Sequence, residues 1–264
     1  MTRTEILQLE KECEKSRDFH KHIDPIDFNN YYPVDENFHY YKVGFREKFK
    51  YFMLHTFVVN PSTWYLCKFK MKAKVYGREN LKGIKNAIIT CNHVYKFDCL
   101  LSAHGLRGHR LYITSAEFNN QKGRFGDYMR AGGLMPFSDN LKAMRNLNSA
   151  MSKRLKTKNY ILFYPEEAMW WMYEKPRPYR NGAYHYAVKN NVPIIPMFIT
   201  FKLLEKKDNE GIPFRKFYLH IMKPIYPNPS ISHRENIEAM RDKNFEMCKA
   251  KYEEFYNKKM KYED

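Results

Sequence analysis

A histidine followed five positions later by an aspartate, His93 and Asp98, closes an apolar run, Ile88-Ile89-Thr90-Cys91-Asn92. The run predicts a buried strand, and strand ends in α/β sheets are where ligands meet reactive side chains. A carboxylate bound to one imidazole nitrogen fixes the tautomer and leaves the other nitrogen ready to take a proton from an alcohol, which could then attack a thioester. Such a base supplies about 10²–10⁴-fold in rate, so positioning and oxyanion stabilisation must provide the rest. Five residues on one continuous helix would put the two side chains on different faces. The pair can touch only if the chain turns before a helix begins, and Asn92 suits such a turn. No serine or cysteine stands in a Gly-x-Ser-x-Gly setting, which favours direct transfer without an acyl-enzyme. On spacing alone, a turn histidine satisfied by a neighbouring acid is the commoner arrangement.

A second constellation shifts that balance. Phe163-Tyr164-Pro165-Glu166-Glu167 ends another apolar run with a proline and two acids, a costly place for charge unless it meets a ligand, a backbone donor or a cation. After Ala168-Met169-Trp170-Trp171 come Lys175, Arg177 and Arg180 in a proline-stiffened loop that ends at Gly182. These cations could hold a phosphate, although a surface basic loop is common in so cationic a chain. The two tryptophans could line a lipid chain or glycan, and plain packing is the commoner use.

The elements that must carry these residues alternate from Lys74 onward. Strands are predicted at Lys74-Val75-Tyr76, Ala87 to Cys91, Leu111 to Thr114, Tyr160 to Tyr164, Ile194 to Phe201 and Phe217 to Ile221. Leu141, Met144, Asn148, Met151 and Leu155 recur at helical spacing behind Ser138-Asp139-Asn140, and His185 to Asn190 closes another helix. A tail helix opens on the capping-box residues Ser232 and Glu235 and carries Ile237, Met240, Cys248, Tyr252 and Phe255 down one side. Upstream, Thr4 to about Phe19 predicts a short polar helix closed near Pro25. Phe45, Phe49, Phe52, Met53, Thr56 and Phe57 share a helical face, which Asn60-Pro61 is expected to stop. A second apolar patch, Trp64 to Cys67, precedes Lys68, Lys70, Lys72 and Lys74. This stretch is shorter than the about 20 apolar residues of a spanning helix, so it suits either the surface of a membrane or a core-facing hairpin.

Composition bounds the partners. The 264 residues hold 46 Lys and Arg against 29 Asp and Glu, a formal charge of +17, with 21 Tyr and 19 Phe. Such a surface attracts phosphate-bearing partners, whether nucleic acid, anionic lipid or coenzyme A. Cys13, Cys67, Cys91, Cys99 and Cys248 are scattered and lack a Cys-x-x-Cys pair, which predicts reduced thiols, a cytosolic compartment and no metal site. The charged N-terminus lacks the apolar stretch of a secretory signal.

Taken together, these residues resemble the glycerolipid acyltransferase family typified by lysophosphatidic acid acyltransferase. The family's Asn-His-x-x-x-x-Asp block is matched by Asn92, His93 and Asp98, and its upstream strand is similar to Val75 to Leu81. Its glycine-containing second block resembles Gly132-Gly133-Leu134-Met135-Pro136 without the arginine. Its Phe-Pro-Glu-Gly-Thr-Arg block is matched at Tyr164, Pro165 and Glu166, with Glu167, Ala168 and Met169 replacing Gly-Thr-Arg. Phe-Lys-x-Gly is similar to Tyr179-Arg180-Asn181-Gly182, and the proline-bounded strand to Val192-Pro193-Ile194-Ile195-Pro196. Several blocks in the right order, over roughly Lys74 to Lys223, are far more specific than any one of them.

The resemblance implies an α/β fold whose mixed sheet is covered by helices, with an N-terminal helical, membrane-interacting arm (1–72), a catalytic core (73–230) and a C-terminal helix packed on it (231–264). It implies His93 and Asp98 as the catalytic pair and Asn92, Lys96, Pro165, Glu166, Arg177, Arg180 and Gly182 as substrate-binding residues. Lys96, Arg177 and Arg180 are the candidates to replace the arginine lost at Met169, and Glu166 is expected to organise the site. No cofactor is expected. Acyl-CoA or acyl carrier protein would be the co-substrate, a lysolipid the acceptor, most simply 1-acylglycerol-3-phosphate, and the cytoplasmic face of an anionic membrane the location. One rival is the same fold acting on a glycolipid or another lysolipid. A nucleic-acid-binding protein is a rival of another class, argued from the charge, although no helix-turn-helix, ribonucleoprotein or zinc-finger spelling is present. A third is a non-catalytic membrane scaffold.

Overall fold

Ile88 and Ile89 are neighbours in one strand, yet each feeds a different core. Side chains alternate across a strand, so an uninterrupted apolar run predicts a sheet buried on both faces. The computed structural model, which describes residues 1–23, 30–41 and 44–263, bears this out. Its strands are β1 (Lys74–Tyr76), β2 (Ala87–Thr90), β3 (Arg110–Ser115), β4 (Leu134–Pro136), β5 (Asn159–Phe163), β6 (Ile194–Lys207) and β7 (Pro213–Ile221). They form a sheet of order β1-β7-β6-β2-β5-β3-β4. All neighbours are parallel except the β6-β7 hairpin, so the sheet is mixed.

Helices α1 (Arg3–Lys15), α2 (Phe45–Leu54), α3 (Asn60–Tyr65), α4 (Asp98–Gly105), α5 (Gly123–Gly132), α6 (Leu141–Leu155), α7 (Gly182–Asn190) and α8 (His233–Tyr256) complete the fold. On one face Ile88, Ile161 and Phe198 pack with Leu147 and Met151 of α6, Tyr184 of α7 and Tyr252 of α8. On the other, Ile89, Leu162 and Ile195 pack with Leu101 of α4, Leu106, Cys67 and Met71. Helix α8 begins with the predicted capping box at Ser232 and Glu235, and its buried Asn244 bonds to Thr90 of β2 and Tyr184 of α7.

Three local expectations are corrected. Helix α1 ends at Lys15, where Arg17 follows in a left-handed conformation; the expected stop at Pro25 lies outside the described residues. Asn60-Pro61 does not stop the second helix. A π turn at His55–Val59 and another at Leu66–Lys70 carry the chain past it, the widened turn accommodating a proline that has no N–H to donate. Strand β4 occupies Leu134–Pro136 of the glycine-containing second block, where no strand was predicted, with Gly133 (φ 104°) ending α5 immediately before it.

Candidate active site

Parallel pairing of β2 with β5 places Thr90 opposite Phe163, and the Cys91 N–H donates to the Phe163 carbonyl at 3.2 Å. The two strands therefore release their turns side by side at the carboxyl edge of the sheet. One turn carries His93 and the other Tyr164-Pro165-Glu166. Trp170 and Met172 donate backbone bonds to the carbonyls of His93 and Val94 at 3.0 and 2.8 Å, which ties the second turn to the first.

The chain does turn before the helix, since Asp98 is the first residue of α4. Its carboxylate is 1% exposed and faces back into the turn. Oδ2 accepts from the N–H groups of Val94 (3.0 Å) and Tyr95 (3.2 Å) and lies 2.8 Å from His93 Nδ1. A carboxylate only accepts, so Nδ1 carries the proton and Nε2 is left as the base. The Tyr164 hydroxyl donates to Asp98 Oδ1 at 2.5 Å, and its ring lies parallel to the imidazole, 3.9 Å between centroids.

Glu166 is fully buried. Oε2 accepts from the His93 backbone N–H (3.1 Å) and from Arg177 Nη2 (2.9 Å), and Oε1 accepts from the Arg177 N–H (2.9 Å). It organises both turns and does not line the cavity, which corrects its assignment to substrate. Arg177 is corrected likewise. Its guanidinium is fully buried, donates to Phe19 and Ala168 carbonyls and stacks over Trp170, so it cannot reach a ligand. Asn92 is a third correction: buried, it exchanges bonds with the backbone of Ile199 (2.9 and 2.7 Å) and staples β2 to β6. Trp170 is fully buried and packs with Phe19 and Tyr173.

Beside His93 opens a cavity of about 770 Å³, within the range of small-molecule sites. Its wall is apolar along Ile113, Met129, Leu134, Phe137 and Phe163 and polar at His20, His22, Lys96, Glu167 and Arg180. Pro165, Gly182 and Met169 also line it. Lys96, Pro165, Arg180 and Gly182 thus all stand on the cavity wall. Arg180 pairs with Glu167 at 3.1 Å, and Glu167 holds a left-handed φ of 66° at the position where the resembling block has glycine.

Sequence reasoning missed His20, whose Nδ1 lies 3.2 Å from the Glu166 carbonyl, because an isolated histidine in a polar arm carries no local signal. It also passed over the Tyr164 hydroxyl. Cys99 lines the cavity, but burial and then the Asp98 charge push its thiol up to about 12, so it stays protonated and unreactive. Among the described residues, no three or more His, Cys, Asp and Glu side chains converge as a metal site would require.

Residues 72–200 match the family model described as Acyltransferase. No curated protein matches at a significant level. The fold is similar to the crystal structure of the 1-acyl-sn-glycerophosphate (LPA) acyltransferase PlsC from Thermotoga maritima, with a TM-score of 0.57 and 23% identity over 84% of this chain and 87% of that one. The family match spans both strand-end turns and reaches into β6. Over residues 72–200 this chain is therefore similar to the acyltransferase family model, on an α/β fold similar to that of PlsC.

Proposed function

We propose that the protein moves a fatty-acyl group from acyl-CoA or acyl carrier protein to a hydroxyl of a lysophospholipid, with 1-acylglycerol-3-phosphate as the first acceptor to test. The observation that carries this reading is the His93 Nδ1 to Asp98 Oδ2 contact of 2.8 Å at the wall of an apolar cavity with a cationic rim. His93 Nε2 takes the proton of the acceptor hydroxyl as its oxygen bonds to the thioester carbonyl carbon. The tetrahedral intermediate then collapses, the carbon–sulfur bond breaks, and the imidazolium returns the proton to the leaving thiolate. Asp98 holds the tautomer and stabilises the imidazolium between the two steps.

Lys96 and Arg180 are the rim cations offered to an anionic headgroup. With Met169 in the place of the family arginine and Arg177 turned inward, a glycolipid or another lysolipid is a second reading. The helical arm supports an interfacial location on a membrane, and the scattered free cysteines favour its cytoplasmic face. Phe45, Phe49, Phe52, Phe57, Trp64 and Phe69 are exposed along it, beside Lys50, Lys68 and Lys70. Among the described residues, no helix is long and apolar enough to cross a membrane.

The test is thiol release from acyl-CoA and from acyl carrier protein across a panel of lysolipids and glycolipids. Asp98→Asn and His93→Ala are expected to lower kcat by about 10²–10⁴-fold with little change in acceptor KM. Wild-type turnover in either variant sinks the dyad, and the preferred acceptor decides between the two readings.

A further inference from the structure

We propose that Tyr164 is a positioning residue that sets the pH at which His93 works, by donating its hydroxyl to the Asp98 oxygen the imidazole does not use. The kinetic half of this inference rests on the acyl-transfer reading; the spectroscopic half does not.

The two oxygens of Asp98 are differently engaged. Oδ2 meets His93 Nδ1 and two backbone N–H groups, whereas the donor to Oδ1 is the Tyr164 hydroxyl, at 2.5 Å. The carboxylate is 1% exposed, so solvent does not share that role. A donor this close draws negative charge from the carboxylate and weakens its hold on the imidazolium. Burial, then the Asp98 charge, keeps the Tyr164 hydroxyl protonated well above the ordinary tyrosine range, so it only donates to Asp98. Its ring, 13° from parallel with the imidazole, blocks rotation of the base out of the Asp98 bond.

These roles are separable in one residue. Phenylalanine, the type at this position in the resembling block, would keep the stack and lose the donor. Without the hydroxyl the Asp98 charge is less shared, the imidazolium is better stabilised, and the base becomes available only at higher pH. The other titratable groups around the ring stay as they are. Glu166 holds the His93 backbone N–H and Cys99 lies beside Asp98 in the chain, while His20, His22, Lys96, Glu167 and Arg180 stand on the cavity wall.

Tyr164→Phe is expected to move the acid limb of kcat/KM upward by about half to one pH unit, hence a roughly three- to tenfold lower rate below the limb, with acceptor KM at the plateau unchanged. Replacing Tyr164 by 3-fluorotyrosine, which keeps the ring and strengthens the donor, should move the limb the opposite way and guards against a misfolded variant. The titration midpoint of the His93 ring carbon–proton signal, identified by its loss in His93→Gln, reads the same displacements without substrate.

Superimposed profiles, a uniform fall at every pH, or displacement of Tyr164→Phe to lower pH would each overturn the proposal. Should the midpoint move while no lysolipid turns over, the tuning stands and the acyl-transfer reading falls. Turnover with an unmoved midpoint overturns the tuning and leaves acyl transfer standing.

Discussion

Glu166 and Arg177 bury a full ion pair beneath the two turns, and a buried pair repays its desolvation only when nearly every donor and acceptor is matched. Here the carboxylate takes three N–H groups, and the guanidinium adds two carbonyls and the face of Trp170, leaving only Nε of Arg177 without a partner. Removing one partner strands the other charge. Arg177→Met is therefore expected to cost about 3–5 kcal/mol, read as a lower urea midpoint, whereas a phosphate-binding arginine would show its loss in acceptor KM with stability unchanged. The sequence signalled that the acid needed a cation or a backbone donor, and it received both. Which of Lys175, Arg177 and Arg180 would turn inward was not legible, because three cations in one loop look alike until a neighbouring segment supplies carbonyls, here that of Phe19.

The helices of the N-terminal arm show how an element can outrun its local signals. Pro61 is a breaker by propensity, yet π turns on both sides absorb it, and Val59, Thr63, Cys67 and Met71 stay on the buried side while the aromatic side chains face out. The first π turn holds His55 against Arg110, where burial and then the Arg110 charge press its pKa down to about 4. His220 on β7 is lowered to about 4 as well, chiefly by burial. A depressed histidine is neutral in the fold and protonated in the unfolded chain between the two values. Its contribution is present above the ordinary histidine value of 6.5 and is lost as pH falls toward about 4. The urea midpoint should drop across that window, and His55→Gln/His220→Gln should flatten the decline; an equal slope in both proteins would remove these histidines from the cause. Elements that sequence reading passed over have a plain reason. Helix α5 contains Gly123, Gly126 and Gly132, which mask its periodicity, and β4 has only three residues.

Across the molecule, the helices that carry the exposed aromatic side pack on the same body that holds the cavity, since α5, whose Tyr128 and Met129 line the cavity, packs on α2 and the first π turn. A protein held at an interface by this side would meet a lysolipid without extracting it into water. Phe49→Ser/Phe52→Ser/Phe57→Ser is expected to reduce sedimentation with anionic vesicles by at least about tenfold, given ~1.5–3 kcal/mol for burying one such side chain in full. Turnover of a water-soluble short-chain substrate should stay near wild type. Raised salt should weaken the residual binding, because the Lys50, Lys68 and Lys70 contribution is screened. Unchanged vesicle binding would point to a protein partner on this face instead.

Periodicity, caps and breakers are properties of a few consecutive residues, and they were enough for the buried strands, for α6 and α8, and for the condition that a turn must precede the helix bearing Asp98. They could not say that β2 would lie beside β5, nor that the segment around Phe19 and His20 would cover the second turn. His93 and Glu166 are 73 positions apart, and Phe19 and Arg177 are 158 apart. Contacts of that span arise when a whole sheet closes its core, because strand order is set by summed burial over many weak contacts, none of which leaves a mark in the local spelling. The residue types His93 and Asp98 were therefore readable one by one, while their partners, and the exclusion of Asn92, Glu166 and Arg177 from the cavity, came from long-range packing.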